Sequence, residues 1–234
     1  MHEMIKGGNV GLATLSEDTG SVILSLGWST ATGEGDADVS VLLLNAGGQV
    51  RGDADFYFYN NPAAADGSVQ LLGKAPTADG SEDRIGLDLT AAPADVDRIV
   101  VAASRYGGAR FGDLADLRMT LADRAGETLL GFTIEDASVE TAFLFGELYR
   151  RGEEWKFRAV GQGYESGLAG LATDFGIDID DDAADADDAA DADAAPEEPV
   201  AVEQEASPAA PPTVPAQAAA PAAEPASRRP RTAK

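Results

Sequence analysis

Two carboxylates at alternate positions open a strongly apolar stretch of this chain: Asp36-Ala37-Asp38-Val39-Ser40 runs into Val41-Leu42-Leu43-Leu44-Asn45. In an extended strand, side chains two positions apart share a face at a spacing of about 7 Å, so Asp36, Asp38 and Ser40 line one side. Two carboxylates drawn to within about 4–5 Å of a common point repel by roughly 3–4 kcal/mol at an effective dielectric near 20. A bound divalent cation reverses that sign. Without further ligands the same pattern describes an acidic strand start facing water.

Hairpin geometry supplies further ligands. If the strand ending at Asn45 turns back through Asn45-Ala46-Gly47-Gly48, Asn60 and Asn61 return beside Asp36 and Asp38. Carboxylates with amide oxygens at one end of a sheet suit Ca²⁺, which takes 6–8 oxygen ligands, better than Mg²⁺, which keeps an octahedral, partly hydrated shell. In that register Asp53 and Asp55 fall opposite the middle of the first strand, as edge or bulge charges. Asp79-Gly80-Ser81-Glu82-Asp83 is a second acidic segment, and Glu135, Asp136 and Glu140 form a third. None is an EF-hand: counting from Asp36, Val41 stands where that loop needs Gly and Gly47 where it needs Glu.

Other chemistries fit poorly. The chain has no Cys and one His, His2 near the N-terminus, which disfavours thiol chemistry, zinc sites and His-based nucleophilic catalysis. A formal net charge of -24 disfavours nucleic-acid binding, which needs a basic stripe to displace counterions. Gly161-Gln162-Gly163 with Gly167 lacks dinucleotide-loop spacing, and no phosphate-loop Lys follows. Trp28, Tyr57, Tyr59, Phe143, Phe145 and Trp155 read as packing residues, and no spacing singles out a glycosidase pair among Glu147, Glu153 and Glu154.

The elements that position these residues are short strands. Val10–Leu15, Ser21–Trp28, Asp38–Asn45, Phe56–Asn60, Ser68–Leu72, Ile85–Leu89, Arg98–Ala103, Leu117–Ala122, Thr128–Ile134, Ala142–Tyr149 and Lys156–Val160 alternate or run apolar between Gly, Asp and Asn turns. Asp123-Arg124-Ala125-Gly126 has the composition of a hairpin turn. Leu168, Leu171, Ala172 and Phe175 predict one helix over Tyr164–Phe175, ended by Gly176. This pattern predicts a mainly β, two-sheet sandwich with a single C-terminal helix.

The composition changes after Gly176. Every glycine and aromatic residue lies in residues 1–177, whereas nine of the twelve prolines lie in 178–234. Residues 1–177 therefore read as one β-sandwich domain. Residues 178–234 read as a disordered tail, acidic and Asp/Ala-rich, then Pro/Ala-rich, with a basic end. The domain is acidic in its own right, with 27 acidic against 13 basic side chains. No leader-like apolar run and no span of about 20 apolar residues occurs, so the expected location is cytoplasmic and the chain is expected to have no transmembrane segment.

Ordered motifs carry a resemblance. Lys6-Gly7-Gly8-Asn9-Val10, Gly27-Trp28, Asp36-x-Asp38-x-Ser40, Asp53-Ala54-Asp55-Phe56, Phe58-Tyr59-Asn60-Asn61 and Asp66-Gly67-Ser68-Val69 are followed by Phe145-Gly146-Glu147-Leu148-Tyr149-Arg150 and by Trp155-Lys156-Phe157 through Gly161-Gln162-Gly163-Tyr164. Over about residues 5–177 the chain resembles the TerD family of tellurium-resistance and stress proteins. The resemblance implies a calcium-binding β-sandwich without catalytic activity. Its implied calcium region is Asp36, Asp38, Asn60, Asn61, Glu82 and Asp83, and its implied setting is tellurite resistance and stress, with partner proteins at the inner membrane surface. The chain departs from the family pattern at Gly73-Lys74-Ala75, where a lysine puts positive charge in an acidic position, and at Gly80-Ser81-Glu82-Asp83.

The leading expectation is thus a non-enzymatic calcium-binding protein of the tellurium-resistance or stress type. The alternatives are an interaction scaffold of the same fold that has lost calcium, and a divalent-metal-dependent enzyme.

Overall fold

A computed structural model describes residues 1–30, 36–78 and 80–177. They fall within one compact unit, Met1–Ala194; a second unit, Ala195–Lys234, lies outside the described residues. Gly35, Asp79 and the tail read as disordered over 178–234 lie outside them as well.

The strands in chain order are β1 (His2–Met4), β2 (Asn9–Gly11), β3 (Ser21–Ser29), β4 (Asp38–Leu44), β5 (Phe56–Tyr57), β6 (Val69–Pro76), β7 (Gly80–Asp88), β8 (Arg98–Ser104), β9 (Ala115–Asp123), β10 (Thr128–Thr133), β11 (Ala142–Arg151) and β12 (Glu154–Tyr164). One helix, α1 (Gly167–Asp174), follows them. They form two six-stranded sheets, β1-β10-β9-β3-β7-β6 and β2-β12-β11-β8-β4-β5. The ladder between β1 and β10 is parallel; the other strand pairs named here are antiparallel. Among the described residues, the two-sheet architecture with a single α-helix agrees with the sequence pattern.

Alternation builds the layer between the sheets. In β3, Val22, Leu24, Leu26 and Trp28 are buried at every second position, and Ile85 and Leu87 of β7 continue the row. The other sheet answers with Val41, Leu43, Ile99, Val101, Phe143, Phe145 and Phe157 in the same core. Strand β4 does not alternate, because its other face is covered too. Leu42 and Leu44 pack with Val100, Ala102, Leu144 and with Leu171 and Ala172 of α1. An unbroken Val-Leu-Leu-Leu run is what a strand buried on both faces requires.

Several boundaries differ from the sequence expectation. The strand expected over Val10–Leu15 ends at Gly11 and becomes a 3-10 turn, Leu12–Thr14. The one expected over Phe56–Asn60 stops at Tyr57, because Phe58 and Asn61 close a tight turn with reciprocal backbone hydrogen bonds. Strand β7 begins at Gly80, five residues before the expected Ile85, and β12 runs to Tyr164, which shortens the helix. Strand β1 has no counterpart in the expected set; three residues paired with a strand over a hundred positions away leave no local pattern.

A bulge in β6 sets the geometry of one sheet edge. The register of β6 against β7 passes from Leu71↔Ile85 to Gly73↔Arg84 and Lys74↔Asp83, so Leu72 is the extra residue. Gly73 has φ +81, a conformation that favours glycine. The bulge shifts the parity of β6 by one and sets Lys74 opposite Asp83.

Candidate cation site

At the sheet edges carrying β6 and β4, carboxylates from both sheets converge. Asp83 follows Leu87 and Ile85 in the inward-facing row of β7 and is 5% exposed. Its Oδ2 accepts a long hydrogen bond (3.5 Å) from the backbone N–H of Val39 in β4, and its Oδ1 accepts one (3.0 Å) from Arg84 N–H. Burial pushes the Asp83 carboxyl up despite those donors and the positive charge of Lys74.

Asp36 and Asp38 stand at the entry to β4. Strand β5 pairs only with Val41 and Leu42 of β4, so the start of β4 extends past it. Here Lys74 reaches across from β6: its Nζ donates to Asp36 Oδ2 at 2.5 Å and to Asp38 Oδ1 at 2.6 Å. The lysine side chain is about one-third exposed, Asp38 one-quarter and Asp36 more than half. Burial alone would pull the Lys74 ammonium down, but the two carboxylate hydrogen bonds outweigh it and the net displacement is upward.

Two residues beyond β8 complete the cluster. The Tyr106 phenol bonds Asp38; burial first, then the negative charge of Asp38, push its pKa up to about 12. Arg105, whose side chain is 4% exposed, donates from Nε to the Asp36 carbonyl (3.1 Å) and from its guanidinium to the Arg110 carbonyl. These contacts anchor the backbone on which Asp36 stands.

The residues singled out from the sequence therefore separate into groups. Asp36, Asp38 and Asp83 come together around Lys74. Glu82, one position along β7, pairs instead with Arg84 at 3.8 Å. Asn61 donates its amide to the Phe56 carbonyl (2.7 Å), inside its own turn, and Asn60 is exposed on that turn. Ser40 is buried, and its hydroxyl has no hydrogen-bond partner among the described residues. In the third acidic segment Asp136 pairs with Lys6 (2.7 Å), while Glu140 accepts from Ser138 N–H (2.6 Å).

The other acidic motif residues are structural. Asp55, read as an edge charge, is 5% exposed and is held by Arg51 through both guanidinium and backbone donors, with Nε and Nη2 at 2.7 Å. Those hydrogen bonds hold the Arg51 pKa well above its usual value. Glu147 is buried to 7% exposure beside Arg158 at 2.8 Å and Arg98 at 3.8 Å. Gly161 and Gly163 lie within strand β12, as opposed to a phosphate-binding loop.

Calcium would need six or more oxygens around one point. The carboxylate chemistry of Asp36, Asp38 and Asp83 suits a hard cation, but an ammonium already bridges the first two. The Lys74 ammonium occupies Asp36 Oδ2 and Asp38 Oδ1 and sets a like charge against any divalent ion there, so with Lys74 in place the set does not fit calcium. Among the described residues no group of three or more Asp, Glu or His side chains is arranged to hold a metal. In the sequence Lys74 stands out only as a departure from a pattern; Tyr106 and Arg105 carry no local signal, because their roles come from β8 lying beside β4.

Comparison with known proteins fixes the family. The TerD domain model matches residues 1–175. The tellurium resistance protein TerD of Serratia marcescens is 43% identical over 183 residues, an alignment spanning 74% of this chain and 95% of that protein. General stress protein 16U of Bacillus subtilis (strain 168) is 35% identical over 75% of this chain and 97% of that protein. A solved homologue of telluride resistance protein (TerD) from Streptomyces coelicolor A3(2) superposes with a TM-score of 0.53 at 18% identity, covering 65% of this chain and 94% of that one. No helix among the described residues is long and apolar enough to cross a membrane. By domain match, identity and coverage together, this chain belongs to the TerD family of tellurium-resistance and stress proteins.

Proposed function

We propose that the chain serves in tellurium-compound and general stress tolerance as a non-enzymatic interaction scaffold, acting by binding and not by turnover. The observation that carries this reading is the closure of the acidic end. The carboxylates best placed for metal chemistry, Asp36 and Asp38, are ion-paired within the protein to Lys74. The sequence supports it: without Cys there is no thiol to reduce a metalloid, and the one His lies at position 2. The strongly acidic surface favours basic partner surfaces. Its setting is the cytoplasm, beside other tellurium-resistance or stress proteins at the inner membrane surface.

The test is growth under tellurite of a host lacking its own family members, complemented by the gene, together with a turnover assay on the purified chain. Restored growth with no tellurite consumption by the protein is expected. Tellurite consumption at catalytic rates, lost in Asp36→Ala, would bring the metal-dependent enzyme back.

Calcium binding is the second reading, favoured by Asp83, a buried carboxylate whose nearest N–H donors sit at 3.0 and 3.5 Å. It requires Lys74 to leave Asp36 and Asp38. Calorimetric titration of Ca²⁺ into the chain, with Mg²⁺ as control, tests it: saturable heat selective for Ca²⁺ is required, and its absence retires this reading.

A further inference from the structure

The disagreement between the acidic cluster and a metal has a specific cause. Lys74 does not merely add a positive charge nearby. Its ammonium is bonded to the two carboxylates at the head of β4, and its cross-strand partner on β7 is the third carboxylate, Asp83. The three acids come from different sheets, Asp36 and Asp38 beside β4 and Asp83 on β7, so whatever neutralises them also joins the sheets at this edge.

We propose that Lys74 is this chain's own cation: a tethered ammonium takes the place of a divalent ion at Asp36, Asp38 and Asp83, making this edge of the sandwich metal-independent. Three features of the fold deliver it there. The Gly73 bulge turns Lys74 to the same parity as Asp83. The short β5 leaves the entry to β4 within reach of β6. Tyr106 holds Asp38, and Arg105 holds the backbone of Asp36, so both acids have anchors besides the ammonium. A tethered cation acts at a high effective concentration and does not depend on its level in solution.

The proposal predicts opposite metal responses from the native chain and from a chain without the ammonium. Thermal melts of the full chain are run in EDTA and in about 5 mM CaCl₂, a level that saturates even weak oxygen sites. Wild type is expected to melt within about 1 °C in the two media, and Lys74→Arg, which keeps a cation, to behave likewise. Lys74→Gln is expected to melt lower in EDTA by about 4 °C or more and to regain at least half of that loss in calcium, and not in MgCl₂. Carboxylates of residues 178–234 are common to all variants and cancel in the comparison.

A calcium-induced rise in wild type as large as in Lys74→Gln overturns the proposal, as does a Lys74→Gln chain indifferent to calcium. Should Lys74→Gln fail to fold in EDTA, its folding in calcium supports the proposal and its failure in both overturns it. The proposal rests on the same Lys74 closure as the scaffold reading: a calcium-induced rise in wild type counts against both, whereas a Lys74→Gln chain indifferent to calcium sinks only the proposal and failed tellurite complementation only the scaffold.

Discussion

Lys74 and Asp38 stand 36 positions apart and belong to different sheets, yet ammonium and carboxylate close to 2.6 Å. The pair spans the gap between the β6 edge of one sheet and the β4 entry of the other. Because Tyr106 bonds the same aspartate, its removal reaches three elements at once.

This rim is expected to fail at high pH. The raised Lys74 contributes fully below about pH 10.4, its unfolded value, and the contribution is lost as pH rises through the higher folded value. Tyr106, pushed up to about 12, acts in the same direction, because the unfolded phenol ionises first, near pH 10. The urea midpoint of wild type should therefore drop between pH 10 and 12 more steeply than that of Tyr106→Phe. Parallel curves would mean that the Tyr106–Asp38 contact adds nothing to the stability of the rim.

Asp83 has the opposite acid response to a paired carboxylate. Its folded value is raised by burial, so the charged form costs stability at neutral pH, and that cost is relieved as pH falls through the folded value towards the ordinary range near 4. In chemical denaturation, wild type should gain on Asp83→Asn as pH is lowered from 7 towards 4. A difference that does not change with pH would mean that Asp83 is not destabilised by its surroundings.

Asp55 and Asp53 separate structural from solvated carboxylate. Asp55→Ala leaves Arg51 without its bidentate partner and should cost about 2–3 kcal/mol, whereas Asp53→Ala, at an exposed position, should stay within about 0.5 kcal/mol. Equilibrium urea unfolding of both variants checks the ordering.

Gly146 lies in the bulge where β11 loses register with β8 and β12. An added Cβ would fall 2.6 Å from Cζ of the buried Phe157 and 2.9 Å from the Arg158 carbonyl oxygen. Gly146→Ala should destabilise by about 1–3 kcal/mol through overpacking. A melting temperature unchanged from wild type would show that Phe157 can retreat at no cost.

Much of the fold is legible in the sequence, for identifiable reasons. Alternation in Val22-x-Leu24-x-Leu26-x-Trp28 marks β3, and the continuous run in β4 marks a strand buried on both faces. Period two also groups Asp36 with Asp38. Placing Asn60 beside them assumes an unbroken hairpin ladder. The 3-10 turn at Asp53–Asp55 and the tight turn at Phe58–Asn61 break that ladder, and each is set by local hydrogen bonds that the alternation does not encode. The reach of Lys74 depends on a one-residue bulge and on which sheet edges adjoin, neither of which has a local signal.

The N-terminal segment divides between the two sheets: β1 pairs with β10, and β2 pairs with β12. A ribosome releasing this chain therefore delivers both N-terminal strands long before their partners. The second sheet cannot complete its edge until the residues around Arg158 have emerged. Such non-local pairing slows folding and leaves both segments without their partners while synthesis is under way. The first strands to be made are therefore among the last to be paired.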